Sequence, residues 1–548
     1  MILMLFIALI VFFLGYFLYA NYISKVLGVD EKNPVPSVTK NDGIDYVPTN
    51  KFVLFGHHFA SIAGAGPILG PIIALSMYGW GPVLLWVLVG GVFIGAVHDF
   101  SSMVISVKNE GRSIFDISRD VLGKFSSMFM LIFVFLALVI VVAVFSAYTA
   151  ITFVSEPRIV IPTFFILLSS LLLSFLIYKL RISLFLSTLI GLFIIGFSVI
   201  LSFGFNISVV LPFDQKTSVG IWIIVLLFYS YIASILPVNL VLQPRDYLNS
   251  YLLFIGILFG FIGVLFFGFF GNINIKVPFF EISEVARDPV TGLVEPIWPI
   301  LFITVACGAI SGFHSLIASG TSSKQISNEK DTKFVGYGGM IVESMLAVIV
   351  IISTVFFLQF SDLVELVKSG KSVSAFGKGF GDLVSFLLGS WGMAFAILMI
   401  NGFMLTTLDT ATRISRFVSE EIFNSIFNRM ISKYISTFFI VVFSGYLALS
   451  GTYVNIWKMF GTANQLVAAL ALVIISIYLF KKGINNLFVL IPAIFMVTTT
   501  LGSLVFYIYK YAFVSFNITF LVISLVLFSV SMISYISIIV SFYSRKPV

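Results

Sequence analysis

The sequence predicts an all-α polytopic membrane protein with about fifteen transmembrane helices. Of its 548 residues, 59% are hydrophobic and only 10% are charged, where an ordinary soluble domain carries about 25% charged residues. The mean hydropathy is +1.12 over the whole chain, and apolar runs of membrane-crossing length recur from end to end. Soluble enzymes, nucleic-acid binders and disordered chains are excluded. The net charge of +7 then reads as basic cytoplasmic loops beside a lipid bilayer, with no nucleic acid involved.

A span needs roughly 20 apolar residues to cross about 30 Å of hydrocarbon. Fifteen runs qualify: 1–20, 53–78, 81–107, 125–152, 159–178, 183–204, 218–238, 250–271, 298–319, 338–359, 386–407, 435–449, 462–480, 487–509 and 516–542. The first lacks a basic n-region and a small-x-small cleavage site, so a retained helix is expected. Alternate loops beginning with 21–52 hold 22 of the 31 Lys and Arg residues. That asymmetry predicts an N-terminus outside and a C-terminus in the cytoplasm.

By these boundaries every basic residue lies in a loop, and Asp99 and Glu343 are the only acidic residues within spans. Ionisable groups inside a membrane cost several kcal/mol and mark functional sites. The structural alternatives are a local pair for Asp99 and a helix-dipole role for Glu343 beside Gly338-Gly339. All four histidines, His57, His58, His98 and His314, also fall in spans, in the cytoplasmic half by the predicted orientation. Imidazoles near carboxylates suit a proton relay or a metal site. His98 and Asp99 are neighbours, but adjacent helix positions point about 100° apart and need not touch.

Gly56–Pro71 packs Gly56, Gly64, Gly66, Gly70, Pro67 and Pro71 into one span. The prolines remove helix donors and the glycines permit non-helical dihedrals. Unwound backbone at membrane depth is tolerated only where it lines a cavity or is covered by protein. Ser61, Gly64 and Gly66 are therefore substrate-site candidates. A second interruption, Ser234–Asp246, holds Pro237, Asn239, Gln243 and Pro244, and Ser234, Asn239 and Gln243 are expected to complete the pocket. Two broken helices five spans apart predict a five-plus-five inverted repeat. Its halves would be 53–204 and 218–407, after a leading helix and loop (1–52) and before a loop and four trailing helices (408–548). A third polar span, 307–321, places Ser311, Ser315 and Ser319 on one face.

Asp409 and Arg413 form an i,i+4 pair that would gate or anchor an inner helix end, and Asn464-Gln465 would cap a helix. The single cysteine, Cys307, is expected to exclude a disulfide framework and any Cys-based metal or cluster site. Neither a Walker motif nor a GxGxxG fingerprint appears, so no cofactor is implied. Nor does an HExxH motif, and no enzyme is predicted. The functional expectation is a secondary transporter, with a metal-ion transporter using His57, His58, His98, Asp99 and His314 as the competing reading.

Several blocks resemble the carbon starvation protein A (CstA) family: Gly56–Pro71, Gly90–Phe100, Gln243–Asn249, Gly308–Thr321, Gly336–Ser344, Leu408–Arg416 and Phe460–Leu466. The resemblance implies a prokaryotic inner-membrane transporter with a LeuT-like inverted-repeat core. It also implies uptake of short peptides during carbon starvation, or proton-coupled import of pyruvate. The carboxylated substrate would meet freed backbone N–H groups near Gly64 and Gly66. Asp99, with His57, His58, His98, His314 and Glu343, would handle the coupling proton. The chain departs from longer relatives in its shorter tail and smaller number of spans.

Overall fold

Capping residues and glycine or proline breaks set where the long apolar runs become helices. Asn50 accepts a bond from the Phe52 N–H at the start of one span, Asp214 does so from Lys216 and Thr217 at another, and Ser113 caps an amphipathic helix between spans. Each side chain satisfies a backbone donor that has no partner inside its own helix. The computed structural model describes all residues except 272, 289–290, 451–452 and 545–548, and gives the backbone alone for 124–126, 178, 453–459, 519, 537–538 and 541–544.

The helices are α1 (Ile2–Val26), α2 (Lys51–Ile62), α3 (Gly66–Tyr78), α4 (Trp80–Lys108), α5 (Ile114–Leu122), α6 (Lys124–Ser155), α7 (Pro157–Ile177) and α8 (Leu184–Gly204). They continue with α9 (Gln215–Ile235), α10 (Leu242–Phe270), α11 (Ile297–Thr304), α12 (Gly312–Gly320), α13 (Lys333–Phe357), α14 (Phe360–Lys368) and α15 (Ser372–Leu383). The last are α16 (Gly392–Phe427), α17 (Lys433–Leu449), α18 (Tyr453–Lys481), α19 (Leu487–Val514) and α20 (Ile518–Ser544).

Among the described residues 12 helical segments are long and apolar enough to cross a membrane, α2 and α3 counting as one. The three other expected spans are the shorter helix α17, the helix α20, and the pair α11–α12, which is broken in the middle. The two longest helices, α6 and α16, pack against each other at the centre. α2 lies along α10, α12 along α4 and α18, and α9 and α17 each against α6 and α16. Apolar side chains on the periphery, such as Phe6 on α1 and Phe185 and Phe193 on α8, point outward, as lipid-facing residues do.

Candidate functional site

Two helices lose their backbone ladder side by side. Between α2 and α3 the chain unwinds at 63–65, with Ala63 at φ −76° and ψ 61°. Pro67 follows in the first turn of α3, where its missing N–H leaves no bond unmade. Between α11 and α12 it unwinds again, ending at Ser311 in an extended conformation. Glycine allows the two breaks to meet: a Cβ on Gly66 would lie 2.3 Å from Cys307 Sγ, and one on Gly308 would lie 3.6 Å from Pro67 Cα. A Cβ on Gly64 would lie 2.9 Å from Thr407 Oγ1 on α16 and 3.5 Å from the Phe145 ring on α6.

The second break is held from α18. Asn464 Oδ1 accepts the Phe313 N–H at 3.0 Å, and its amide donates to Ser311 Oγ at 3.0 Å. The Gln465 amide donates to the Ile310 carbonyl at 2.9 Å. These carboxamides pair backbone groups that unwinding sets free.

Two buried charge clusters flank the breaks. In the first, His98 Nδ1 is 2.8 Å from Asp99 Oδ1 and His314 Nδ1 is 2.9 Å from Asp99 Oδ2. His314 Nε2 lies 3.3 Å from Glu343 Oε2. All four side chains are fully buried. His98 and Asp99, which helical spacing leaves free to point apart, do touch.

The second cluster joins α2, α9, α10 and α16. His57 Nδ1 is 2.8 Å from Asp246 Oδ2, and Ser61 donates to the same oxygen at 3.3 Å. Arg245 lies between two carboxylates, donating from Nε to Asp246 Oδ1 at 2.9 Å and from Nη2 to Asp409 Oδ1 at 2.9 Å. Tyr229 donates to Asp409 Oδ2 at 2.6 Å.

Several expectations are corrected here. Asp99 and Glu343 are not alone: Arg245, Asp246, Asp409 and Arg413 are also buried within helices, because α10 begins at Leu242 and α16 runs on to Phe427. Asp409 and Arg413 do not pair. Asp409 meets Arg245, while Arg413 donates to Asp45 and to the Leu236 carbonyl at 2.8 Å. The second break lies in 305–311; the 236–241 interruption separates two whole helices, α9 and α10.

Gln243 donates to Thr49 Oγ1 at 2.7 Å and Gln325 Oε1 at 2.8 Å. Thr49 precedes α2, so Gln243 is about 20 Å from the Gly64 break at 1.5 Å per residue. Ser234 Oγ and Asn239 Oδ1 are buried with no hydrogen-bond partner among the described residues. Of the five residues of the metal reading, His98, Asp99 and His314 stay together, whereas His57 turns to Asp246 and His58 Nδ1 to Ser322 Oγ at 2.8 Å.

A third layer gathers loop residues on the side where α2 begins. Asp45 pairs with Arg413 and, at 3.5 Å, with Arg416. Burial alone would raise the Asp45 carboxyl, but Arg413, Arg416 and Lys324 together hold it below its ordinary value. Burial lowers the Lys324 ammonium despite Asp45 and Glu421 nearby, and pushes the Tyr46 hydroxyl up to about 12.

Sequence reading missed Arg245, Asp246, Cys307, Phe145 and Thr407 as site residues, and assigned Asn464 and Gln465 only a capping role. Arg245-Asp246 stands beside Pro244 at a helix start, a pattern that looks like a loop when only apolar runs define spans.

This arrangement of helices recurs in solved transporters. A manganese transporter of Eremococcus coleocola, solved as a histidine-to-alanine mutant, is 8% identical with a TM-score of 0.52, over 92% of this chain and 98% of that one. MhsT in complex with L-phenylalanine is 14% identical with a TM-score of 0.51, over 91% of this chain and 99% of that one. At such identities the likeness carries the fold alone, an all-helical multi-pass architecture.

The sequence profile described as carbon starvation protein CstA matches residues 1–374 and 364–503, and the chain belongs to that family. The peptide transporter CstA of Escherichia coli (strain K12) is 32% identical, over 86% of this chain and 76% of its own length. That of Campylobacter jejuni is 31% identical, over 90% and 78%. The pyruvate/proton symporter BtsT of Escherichia coli (strain K12) is 29% identical, over 90% and 80%. These relatives are transporters, not enzymes.

Proposed function

We propose that the chain is a proton-coupled secondary transporter that imports a small carboxylated nutrient, a short peptide or pyruvate, across a prokaryotic inner membrane. One observation carries the reading: two helix breaks meet inside the bundle, flanked by buried carboxylate–histidine clusters. The N-terminus of α3 points its positive end at the first break, where a substrate carboxylate would be received. The substrate names of the peptide and pyruvate relatives support the same chemistry. They give no support to the metal-ion transporter.

The inverted repeat takes a different register from the one expected. One half is α2–α3, α4, α6, α9 and α10; the other is α11–α12, α13, α16, α17 and α18. The α7–α8 hairpin is then an insertion. Packing supports this pairing: α2 against α10 mirrors α12 against α18, and α6 against α17 mirrors α16 against α9. α5 between α4 and α6 has its counterpart in α14–α15 between α13 and α16.

Asp99, with His98, His314 and Glu343, carries the coupling proton. The α2 side, which the basic loops assign to the cytoplasm, is closed by Asp45 with Arg413 and Arg416, so the gating role of Arg413 is shared with Asp45 and not with Asp409. Uptake of labelled pyruvate and of a dipeptide panel into proteoliposomes, with and without an inward proton gradient, tests the reading. Gradient-driven accumulation of one of them is expected; accumulation of neither sinks it.

A further inference from the structure

The single cysteine argues in sequence against a Cys-based metal site, but the fold sets Cys307 within a mixed donor set. It lies in the unwound stretch between α11 and α12 and is only partly buried. His314 on α12 and Glu343 on α13 are fully buried. One ligand atom from each of the three lies within 4.8 Å of the others. His314 Nε2 and Glu343 Oε2 face each other at 3.3 Å as an ion pair without making a hydrogen bond, and Glu343 Oε1 has no hydrogen-bond partner among the described residues. Buried polar atoms of that kind are rare in folded proteins and call for an occupant.

The second ring nitrogen of His314 explains the orientation. Nδ1 is held by Asp99 at 2.9 Å, which leaves Nε2 turned toward Glu343. A carboxylate behind an imidazole fixes the ring and raises its basicity toward a metal.

We propose that Cys307, His314 and Glu343 form a binding site for one borderline divalent cation of the zinc or cobalt type, with Asp99 as the carboxylate behind the histidine. A thiolate, an imidazole and a carboxylate together favour such an ion over magnesium or calcium. Zinc bond lengths near 2.0–2.3 Å set ligand atoms about 3.3–3.8 Å apart; His314 Nε2 and Glu343 Oε2 are already 3.3 Å apart, so closing any remaining gap falls to Cys307. The unwound segment that carries Cys307 has the freedom to do so. Three protein ligands leave a fourth position for water or another donor.

A cation bound there ties the α11–α12 break to α13 and occupies His314 and Glu343. On the transport reading of the previous section, which this role rests on, it inhibits uptake. Binding itself does not depend on that reading.

Cobalt titrated into the purified full-length chain in detergent is expected to give a thiolate-to-cobalt charge-transfer band that saturates at one equivalent. Cys307→Ser should abolish the band, and Glu343→Gln should weaken binding by about tenfold or more. No variant is needed for the second measurement, because Cys307 is the only cysteine in the chain. Zinc should slow maleimide labelling of the native thiol, a chelator should restore it, and magnesium should leave it unchanged. Absence of the band together with zinc-insensitive labelling overturns the site. In proteoliposomes zinc should reversibly inhibit uptake. A thiol protected by zinc while uptake continues unchanged overturns the inhibitory role and leaves the binding site standing.

Discussion

The two buried charge clusters both hold carboxylates inside the bundle but pair them with different cations. Around Arg245 a guanidinium sits between Asp246 and Asp409, and it cannot give up its proton in a protein. Around Asp99 the bonded partners are imidazoles, His98 and His314, whose charge follows protonation. The Arg245 cluster is therefore a clamp around one permanent cation, joining α2, α9, α10 and α16. The Asp99 cluster has no such permanent cation among its bonded partners. His57 and His58, adjacent in sequence on α2, are divided between Asp246 in the clamp and Ser322 outside it.

Removing the fixed cation should break the comparison most severely. Arg245→Met leaves Asp246 and Asp409 without a counter-ion, and loss of one partner of a buried pair costs about 3–5 kcal/mol. A collapse in folded yield and melting temperature is expected, with partial recovery in Arg245→Met/Asp409→Asn. An unchanged melting temperature would remove the clamp. Asp99→Asn should instead leave a folded chain whose substrate uptake equilibrates without accumulating under a proton gradient. Gradient-driven accumulation that survives this change would show that Asp99 does not carry the coupling.

The break between the clusters should respond less. Gly66→Ala places a methyl 2.3 Å from Cys307 Sγ, an overpacking expected to cost about 1–3 kcal/mol. Cys307→Gly in the same chain should relieve it, because the clash is with that side chain. The loop layer comes next. Asp45→Asn should cost about 1.5–3 kcal/mol through its bonds to charged partners.

The Asp45 carboxyl is held below its ordinary value in the folded chain, so its stabilising share is present above the ordinary carboxylate range near about 3.9. That share is lost as pH falls through the lower folded value. Wild type and Asp45→Asn should therefore converge in stability on acidification; a constant gap would exclude this linkage. The smallest effect is expected at Ser234 and Asn239. Their alanine variants remove buried polar atoms that make no hydrogen bond among the described residues, so folding should stay close to wild type; a fall in uptake would mark them as pocket residues.

Much of the architecture was legible in the sequence because apolar length and glycine–proline clustering report directly on membrane spans and unwinding. The break at 63–65 falls within Gly56–Pro71 for that reason. The break at 305–311 was hidden, since its Cys-Gly-Ala-Ile-Ser stretch carries no proline and its small apolar residues keep the hydropathy high. Arg245 and Asp246 were hidden by the opposite effect, as charge lowers the local hydropathy and makes a helix start look like a loop. Partners across the fold were not legible at all: nothing near Asp409 in sequence announces Arg245, 164 residues away.

Asn464 and Gln465 have a consequence for how the protein is made. They satisfy the backbone of the second break from positions about 150 residues later in the chain. A ribosome delivering the protein N-terminus first thus inserts the break long before its hydrogen-bond partners exist. Until α18 enters the membrane, that unwound backbone must be sheltered by water, by the insertion machinery or by a temporary helix, and the transport site is completed among the last parts of the fold.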